Sequence, residues 1–408
     1  WEFDGPQPGW LQKAIREHQL LDANREDAPS KAILWRILDS SDPSGFLSVA
    51  EKLELDTMFA SLLNATSSAN DWTVLEPTVE RSLQALDKLS NNQLRVLGEM
   101  VKVEGIRGTL REVRTMLKSS QDSIRDQGLF DDDDDHTLPD VGIPEDGDAQ
   151  NHDVGYIFGL LQHICEMLSM AIPQRNNTER DIDVFVKTHI FSCFNGVVDQ
   201  HFGEMVSRAS RDRRANNTNT PDHSGGYHLD WMFTKHDLAN DLPWGREFSL
   251  CERAGSKAEN DRKITSNALG IQKTLRDMHW SLIEDIAATG GGMVSKPVLN
   301  SFVKLLMPGF LSSYFFIRII LVVYVGAGFY ASVDLQDFDI PMTYDQLSGV
   351  VKIARTMLQT KKILHTTITR YKQIKARAEK EKFAPGRVRV AGRPKEFVTP
   401  KRRPHKVR

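Results

Sequence analysis

The sequence predicts a mixed β-sheet flanked by helices, of the α+β or α/β class, preceded by an all-helical region. Two pairs of short apolar stretches have the length and composition of strands, at 227–233 with 246–254 and at 314–324 with 328–335. Helical patterns lie before the first pair, between the two pairs and after the second. This order is typical of a sheet covered by helices.

Residues 1–127 are predicted to form the helical region. Apolar residues recur at spacings of three and four in stretches such as 49–63 and 110–124, which is the pattern of an antiparallel helical array. No residue type in this region points to chemistry. We therefore expect a structural appendage, with a surface for an unidentified protein partner as the alternative.

The charge of the chain is segregated, although its net charge is only −3. Residues 126–153 contain eleven acidic side chains and no Lys or Arg, including five consecutive aspartates at 131–135. Because this stretch also contains prolines and shows no periodicity, we predict an acidic disordered linker at 128–153. Loose Ca²⁺ binding is disfavoured, since the Gly turn and distal Glu of a Ca²⁺ loop are missing.

Residues 314–332 allow two interpretations. These nineteen residues carry one charge, Arg318, and are long enough to span a bilayer as a helix. However, a charged side chain in the hydrocarbon costs about 2.5–3.5 kcal/mol on insertion scales. The residues are also β-branched and aromatic, and Gly326-Ala327-Gly328 is a plausible turn. We favour two buried strands over a protein anchored by one membrane helix.

The remaining helices complete a predicted α/β domain at 154–379. Residues 178–214 predict one long amphipathic helix or a broken pair, and Thr178 with Asp181 forms an acidic variant of the capping box. Thr343 with Gln346 predicts the start of a final helix that runs to about Ala378.

The residue types that suggest chemistry lie on the first strand pair. Asp230 interrupts one short apolar strand, and Glu247 and Glu252 lie on the next. Since alternate side chains of a strand share a face, Glu247 should face away from Glu252, whereas Asp230 could approach Glu252 at the strand ends. Two converging carboxylates are a ligand set for Mg²⁺, which keeps several waters and binds phosphate oxygens.

This pattern resembles the PD-(D/E)XK nuclease-like family, also called restriction-endonuclease-like, and within it the divergent eukaryotic members. That family has an acidic residue on an early helix, a strand with Asp, a strand with Glu-x-Lys and a helix across the sheet. Glu179, Asp230, Glu252 and the helix from about Asp261 match these parts. The likeness covers about 153–371 and is most specific at 230–277. It implies a Mg²⁺-dependent nuclease in which Asp230, Glu252 and Glu179 bind the metal.

The chain departs from the family pattern at one position. Where the family has its Lys, two residues after the Glu, this chain has Ala254. The missing charge could come from Lys257 in the following loop, or from Lys263 or Lys273 on the next helix, where it would steady the attacking water. Without such a replacement, the resemblance implies a non-catalytic interaction or scaffold protein that keeps a nuclease-like fold.

A plainer interpretation stands beside this one. Asp230 could only cap a turn, Glu252 could pair with a surface Arg, and Glu179 lies in the first turn of its helix, where an acid is favoured anyway. The Mg²⁺ site therefore depends on the two strand acids meeting in the folded chain.

The C-terminal residues 380–408 are predicted to be a basic disordered tail. Residues 370–408 contain fifteen Lys or Arg against three Glu, a composition that gives salt-sensitive binding to nucleic acid. The last residues, PKRRPHKVR, resemble a nuclear-import signal. Three scattered cysteines are typical of a reducing compartment. We therefore expect an intracellular protein, with a nuclear location indicated by its last residues and a membrane location as the alternative.

Overall fold

A seven-stranded mixed β-sheet forms the centre of the protein. The computed structural model describes residues 7–23, 32–41, 46–63, 72–126, 145–217, 225–239, 242–255 and 261–390. In chain order the strands are β1 (Ile37–Asp39), β2 (Asp199–Val206), β3 (His228–Lys235), β4 (Arg246–Arg253), β5 (Met293–Val294), β6 (Met307–Ser313), β7 (Phe316–Gly326), β8 (Phe329–Asp339) and β9 (Val388–Arg389).

The order of strands across the sheet is β1-β8-β7-β6-β4-β3-β2, and β5 pairs with β9 in a separate two-stranded sheet. Strand β4 is parallel to β6, and β1 is parallel to β8. The other neighbours in the large sheet are antiparallel. The predicted class, a mixed sheet flanked by helices with helices at the N-terminus, is confirmed.

Helices cover both faces of this sheet. They are α1 (Gly9–Ala23), α2 (Val49–Leu63), α3 (Pro77–Asp87), α4 (Asn91–Asp126, kinked at Gly105), α5 (His152–Ser169), α6 (Glu179–Phe185), α7 (Arg208–Asn217), α8 (Asp261–Thr289), α9 (Lys296–Leu299) and α10 (Gly349–Lys380). Helix α8 connects the parallel strands β4 and β6 and packs against both. A parallel pair requires a connection of this length.

Helix α8 lies close to the sheet because β6 carries Gly309. A Cβ atom at Gly309 would lie 2.7 Å from the Leu275 side chain and 2.8 Å from that of Ile271. Sequence reasoning did not identify β6. Its residues, MPGFLSS, combine a Pro, a Gly and two serines, but all seven are buried between helices.

The strand-pair prediction for 314–332 is confirmed. Strands β7 and β8 form a hairpin whose turn, Gly326-Ala327-Gly328, has positive φ at all three residues. The alternative of one membrane helix is therefore wrong for these residues. Within the described ranges, no helix has both the length and the apolar character that crossing a membrane requires.

The prediction that the N-terminal region is all-helical is wrong, because this region supplies strand β1. Ile37 and Leu38 are buried, and Leu38 pairs with Ala331 of β8. A strand of three residues leaves no periodic pattern of its own, so its pairing becomes visible only in the folded chain. Trp10 belongs to the same apolar cluster as Leu321 of β7.

Of the two predictions for 178–214, one long helix is wrong, and the broken pair is right only at the two ends, because strand β2 lies between α6 and α7. The capping box is confirmed, because Thr178 Oγ1 accepts from Asp181 N at 3.2 Å and Asp181 Oδ2 accepts from Thr178 N at 2.9 Å. Helix α6 nevertheless ends at Phe185, and the chain reaches β2 and α7 after irregular turns. Gly196 and Gly203 have φ of 81° and 115°, which a continuous helix does not allow.

The final helix starts later than predicted. Thr343 makes no side-chain capping bond and precedes only a short 3₁₀ turn, whereas α10 begins at Gly349. The five apolar positions expected to face inward are all buried: Leu347, Val350, Val351, Ala354 and Leu358.

The predicted linker and tail lie partly outside the described residues. Residues 128–144 are outside them. Residues 145–153 form a 3₁₀ turn and the start of α5, so the prediction of a disordered linker is wrong for 145–153. Asp148 of that turn is buried beside Arg81. The basic segment begins on α10 and continues to β9, and residues 391–408 are outside the described part.

Candidate metal centre

Strands β3 and β4 bring the two predicted acids together. Trp231 pairs with Cys251, and Met232 pairs with Leu250. The same antiparallel register sets Asp230 opposite Glu252, close to where β4 ends. Neighbouring residues on both strands are buried and apolar, so the two strands pair through their core residues and carry the acids to the end of the sheet.

The two carboxyl groups are cross-strand neighbours, and each lies on the same face of the sheet. Burial raises the pKa of Glu252 to about 8, the Asp230 charge adds to this rise, and the ammonium of Lys263 opposes it. Glu252 therefore retains its proton at neutral pH, because burial and the nearby charge of Asp230 both disfavour its ionised form.

The backbone of β4 fixes one oxygen of Asp230. Arg253 N donates a hydrogen bond to Asp230 Oδ2 at 2.7 Å. Since a carboxylate has a second oxygen, this bond orients the group without using all of its capacity to bind a ligand.

Two helix starts meet at the same end of the sheet. Glu179 is the first residue of α6, and Lys263 lies in the first turn of α8. Lys263 Nζ lies 3.0 Å from Glu179 Oε1, and both side chains are partly exposed. Because Lys263 also acts on the pKa of Glu252, the structure brings together Glu179, Asp230, Glu252 and Lys263.

Lys273 does not belong to this group. Its Nζ lies 3.7 Å from the centre of the Trp35 ring. Ten residues of helix separate it from Lys263, which corresponds to about 15 Å along the axis. The structure therefore does not bring Lys273 together with the acids, because the helix carries it away from them. Lys257, the other predicted replacement, lies outside the described residues.

Asp183 is an acidic residue close to this end of the sheet that sequence reasoning missed. It lies one turn after Glu179 on α6 and forms a buried ion pair with Arg253. Burial raises the pKa of Asp183 to about 6, and the charges of Asp230 and Glu179 add to this rise while Arg253 opposes it. The four-residue spacing from Glu179 was the signal that could have identified it.

Arg253 and Glu252 point to opposite faces of the sheet, as the strand period requires. Glu252 is on the face of Leu250, which α8 covers. Arg253 is on the other face, with its guanidinium carbon 6.0 Å from the centre of the Trp231 ring. Ala254, at the position of the family's Lys, is buried and donates its N–H to Ser312 O at 2.7 Å.

Glu247 has a structural role. Its carboxylate accepts from Arg208 N at 2.6 Å and from Ser207 Oγ at 2.9 Å, which caps the start of α7. Burial raises its pKa, and these hydrogen bonds oppose the rise. The predicted face was wrong: a bulge in the β3–β4 register pairs Glu247 with Thr234, which places Glu247 on the face of Asp230.

The oxygen donors fit a hard cation that keeps most of its water. In the described residues, no three or more His, Cys, Asp or Glu side chains form a group that could hold a metal ion. A site here would therefore rest on the two carboxylates of Asp230 and Glu252. Mg²⁺ commonly binds proteins through one or two carboxylates and completes its octahedron with water and phosphate.

The fold and this end of the sheet define a mixed α/β protein with a pair of interacting acids at the end of two adjacent strands. No protein-family model matches the chain, and neither a curated protein nor a solved structure matches it.

Proposed function

We propose that the protein is a Mg²⁺-dependent nuclease-like enzyme that hydrolyses phosphodiester bonds in nucleic acid, as a divergent relative of the PD-(D/E)XK family. The observation that carries this proposal is the register of β3 and β4, which sets the carboxyl groups of Asp230 and Glu252 opposite each other, with Lys263 close enough to influence Glu252. Opposed acids beside a lysine are the donor set that such chemistry requires.

The chain order of the elements supports the same proposal. Helix α6 with Glu179 comes first, the antiparallel strands β2, β3 and β4 follow, and α8 then leads to β6 beside β4. The two acids lie on β3 and β4, and Lys263 starts α8. These parts and their order agree with those that the sequence resemblance implies for a restriction-endonuclease-like core.

Asp230 and Glu252 would hold the cation, which supplies a Lewis acid for the phosphate and lowers the pKa of a bound water. The other groups of the chain orient these carboxylates and balance their charge. The Arg253 N–H orients Asp230, and Glu179 holds the Lys263 ammonium near Glu252. Lys263 is the residue that we assign to hydrogen bonding with the attacking water, in place of the Lys missing at Ala254.

The basic C-terminal segment is the part of the chain that we propose binds nucleic acid. Fifteen Lys or Arg residues in 370–408 would neutralise phosphates and release counterions without reading sequence. A nuclear location would suit this substrate and the basic sequence at the C-terminus.

The purified chain should cleave DNA or RNA in the presence of Mg²⁺ or Mn²⁺, and cleavage should stop when EDTA is added. Asp230→Asn and Glu252→Gln should each lower the cleavage rate by at least about a hundredfold, because each removes a carboxylate of the site. Lys263→Ala should also lower the rate strongly.

Lys273→Ala is the matched control for Lys263→Ala, since it removes the same side chain from the same helix at a place remote from the acids. It should leave cleavage unchanged. Absence of cleavage by the wild-type chain with either cation, across single- and double-stranded DNA and RNA, would contradict the enzymatic proposal.

The second candidate is a non-catalytic protein that keeps this arrangement as a scaffold. It is favoured by Ala254, which is buried where the family has its Lys, and by the ion pair between Lys263 and Glu179. Nucleic acid binding that persists with EDTA, together with no cleavage, would support the scaffold.

A further inference from the structure

Arg253 connects four parts of the protein next to the candidate metal centre. Its side chain pairs with Asp183 of α6, and its Nη1 donates to Tyr314 O, between β6 and β7, at 3.2 Å. Its backbone N–H donates to Asp230 of β3, and its carbonyl accepts from Asn267 Nδ2 of α8 at 3.0 Å.

The side chain of Arg253 is fully buried, and its pairing therefore fixes its position firmly. The residue is only 2% exposed, and Asp183 is 8% exposed. A buried charge that loses its partner is strongly destabilised, so the guanidinium and the carboxylate hold each other in place. The Arg253 backbone cannot move at the end of β4 without straining this pair.

The segment that Arg253 contacts is itself constrained. Tyr314 has φ of 49°, an uncommon conformation for a residue with a side chain, and its hydroxyl donates to Pro173 O at 3.3 Å. Tyr314 N also donates to Gly255 O at 3.1 Å. Arg253 is thus enclosed by contacts on both sides of the strand end.

We propose that Arg253 is a positioning residue of the metal centre: its buried side chain, anchored on Asp183 and Tyr314 O, holds its backbone N–H where that group orients Asp230 toward Glu252. This inference rests on the proposed function, since it concerns the same cation. It assigns to the residue between Glu252 and Ala254 a role on the opposite face of the sheet. Asp183 is the anchor of this arrangement and is not itself a metal ligand.

A purely structural ion pair is the competing explanation, and a double substitution separates the two. Arg253→Met and Asp183→Leu each leave one buried charge unpaired, so each single variant should lower the Tm. The double variant replaces the pair by apolar side chains, which commonly restores stability. The second readout is Mn²⁺ affinity, measured on the full-length chain by titration calorimetry or electron paramagnetic resonance.

If Arg253 positions Asp230, the double variant should regain most of the wild-type Tm and still bind Mn²⁺ about tenfold more weakly, as happens when groups that support metal ligands are lost. A double variant with wild-type Tm and wild-type Mn²⁺ affinity would overturn the inference. Arg253→Lys keeps the positive charge that pairs with Asp183 but removes Nη1, the group that donates to Tyr314 O. If the double variant does not fold, unchanged Mn²⁺ affinity in Arg253→Lys overturns the inference, and weaker binding supports it.

Two measurements keep this result separate from the proposed function. Wild-type protein must bind Mn²⁺, and Asp230→Asn must abolish that binding. Without wild-type binding, the metal proposal itself fails and the inference fails with it. Lys13→Met, which breaks the ion pair with Glu51 between α1 and α2, is the control for loss of an ion pair elsewhere and should leave Mn²⁺ affinity unchanged.

Discussion

Helix α8 passes two groups of acidic residues that are neutralised in different ways. In its last thirteen residues, Asp277 pairs with Arg213 and Arg276, and Asp285 pairs with Arg246 and Lys375. At its start, the nearest acids of the sheet, Asp230 and Glu252, face each other.

The difference separates acids that stabilise the fold from the two acids that we propose bind a cation. Asp277 has a guanidinium group on each carboxylate oxygen, at 2.7 Å and 2.8 Å. Glu252 has an acid as its neighbour, and the lysine that influences it, Lys263, is also held by Glu179. Buried acids with fixed cationic partners are part of the core, whereas an opposed pair can be balanced by a proton or, as we propose, by a bound cation.

The largest expected effect comes from the acids that stabilise the fold. Asp277→Asn would leave Arg213 and Arg276 buried beside an uncharged amide. We expect a loss of about 3–5 kcal/mol in the free energy of unfolding, because breaking a buried ion pair leaves an uncompensated charge. Urea denaturation followed by circular dichroism measures this loss.

The exposed Glu54 on α2 provides the control for that substitution. Glu54→Gln also removes one negative charge and should change stability by less than about 0.5 kcal/mol. Equal effects of the two substitutions would show that net charge, and not burial with two arginines, decides the role of Asp277.

The second prediction concerns a buried base on the same part of α8. His279 Nε2 lies 3.1 Å from Phe302 O, which can only accept, so Nε2 carries the proton and Nδ1 faces the Tyr330 hydroxyl at 3.3 Å. Burial lowers the pKa of His279 to about 4 from 6.5. The unfolded chain therefore binds a proton that the folded chain does not.

Stability should fall as the pH decreases from 6.5 to about 4, since protonation favours the unfolded state across this window. The lowered pKa corresponds to about 3 kcal/mol. Comparing the pH dependence of urea unfolding in wild type and His279→Gln isolates this contribution, because the carboxylates titrate in both. Parallel curves for the two proteins would mean that His279 titrates alike in the folded and unfolded states.

A smaller effect is expected at the start of α6, next to the acid pair. Thr178→Ala removes the side chain that accepts from Asp181 N, and helix caps of this type contribute about 1 kcal/mol. Thr57→Ala, at an exposed position within α2, is the matched control and should leave stability unchanged or slightly higher, because Ala favours helix. A loss of equal size at Thr57 would assign the effect to something other than capping.

Local signals in the sequence predicted part of this molecule. The capping residues Thr178 and Asp181 act over three positions, and the two strands of the 314–332 hairpin carry their own β-branched composition. Asp230 and Glu252 were predictable as neighbours because a single strand pair brings them together. In each case the residues that interact lie near each other in sequence or on one pair of strands.

Features that depend on distant parts of the chain were missed. Strand β1 pairs with β8 across almost 300 residues, and β6 is recognisable as a strand only beside β4. Asp183 and Arg253 are 70 residues apart, so their pairing has no local pattern. How far Lys263 and Lys273 each lie from the acids likewise depends on where α8 crosses the sheet.

The smallest expected change in stability is the sharpest test of the comparison. Glu252→Gln replaces one member of the opposed pair by an amide of nearly the same shape, which is neutral without having to bind a proton on folding. Burial and the Asp230 charge both disfavour the ionised form of Glu252. Removing this carboxyl group should therefore raise the free energy of unfolding at neutral pH by about 1 kcal/mol. Asp277→Asn, the same type of substitution, should do the opposite.

The same Glu252→Gln protein should fail to bind Mn²⁺, so stability and cation affinity should move in opposite directions. A Glu252→Gln variant as unstable as Asp277→Asn would mean that the pair at the end of β3 and β4 stabilises the fold in the way Asp277 does.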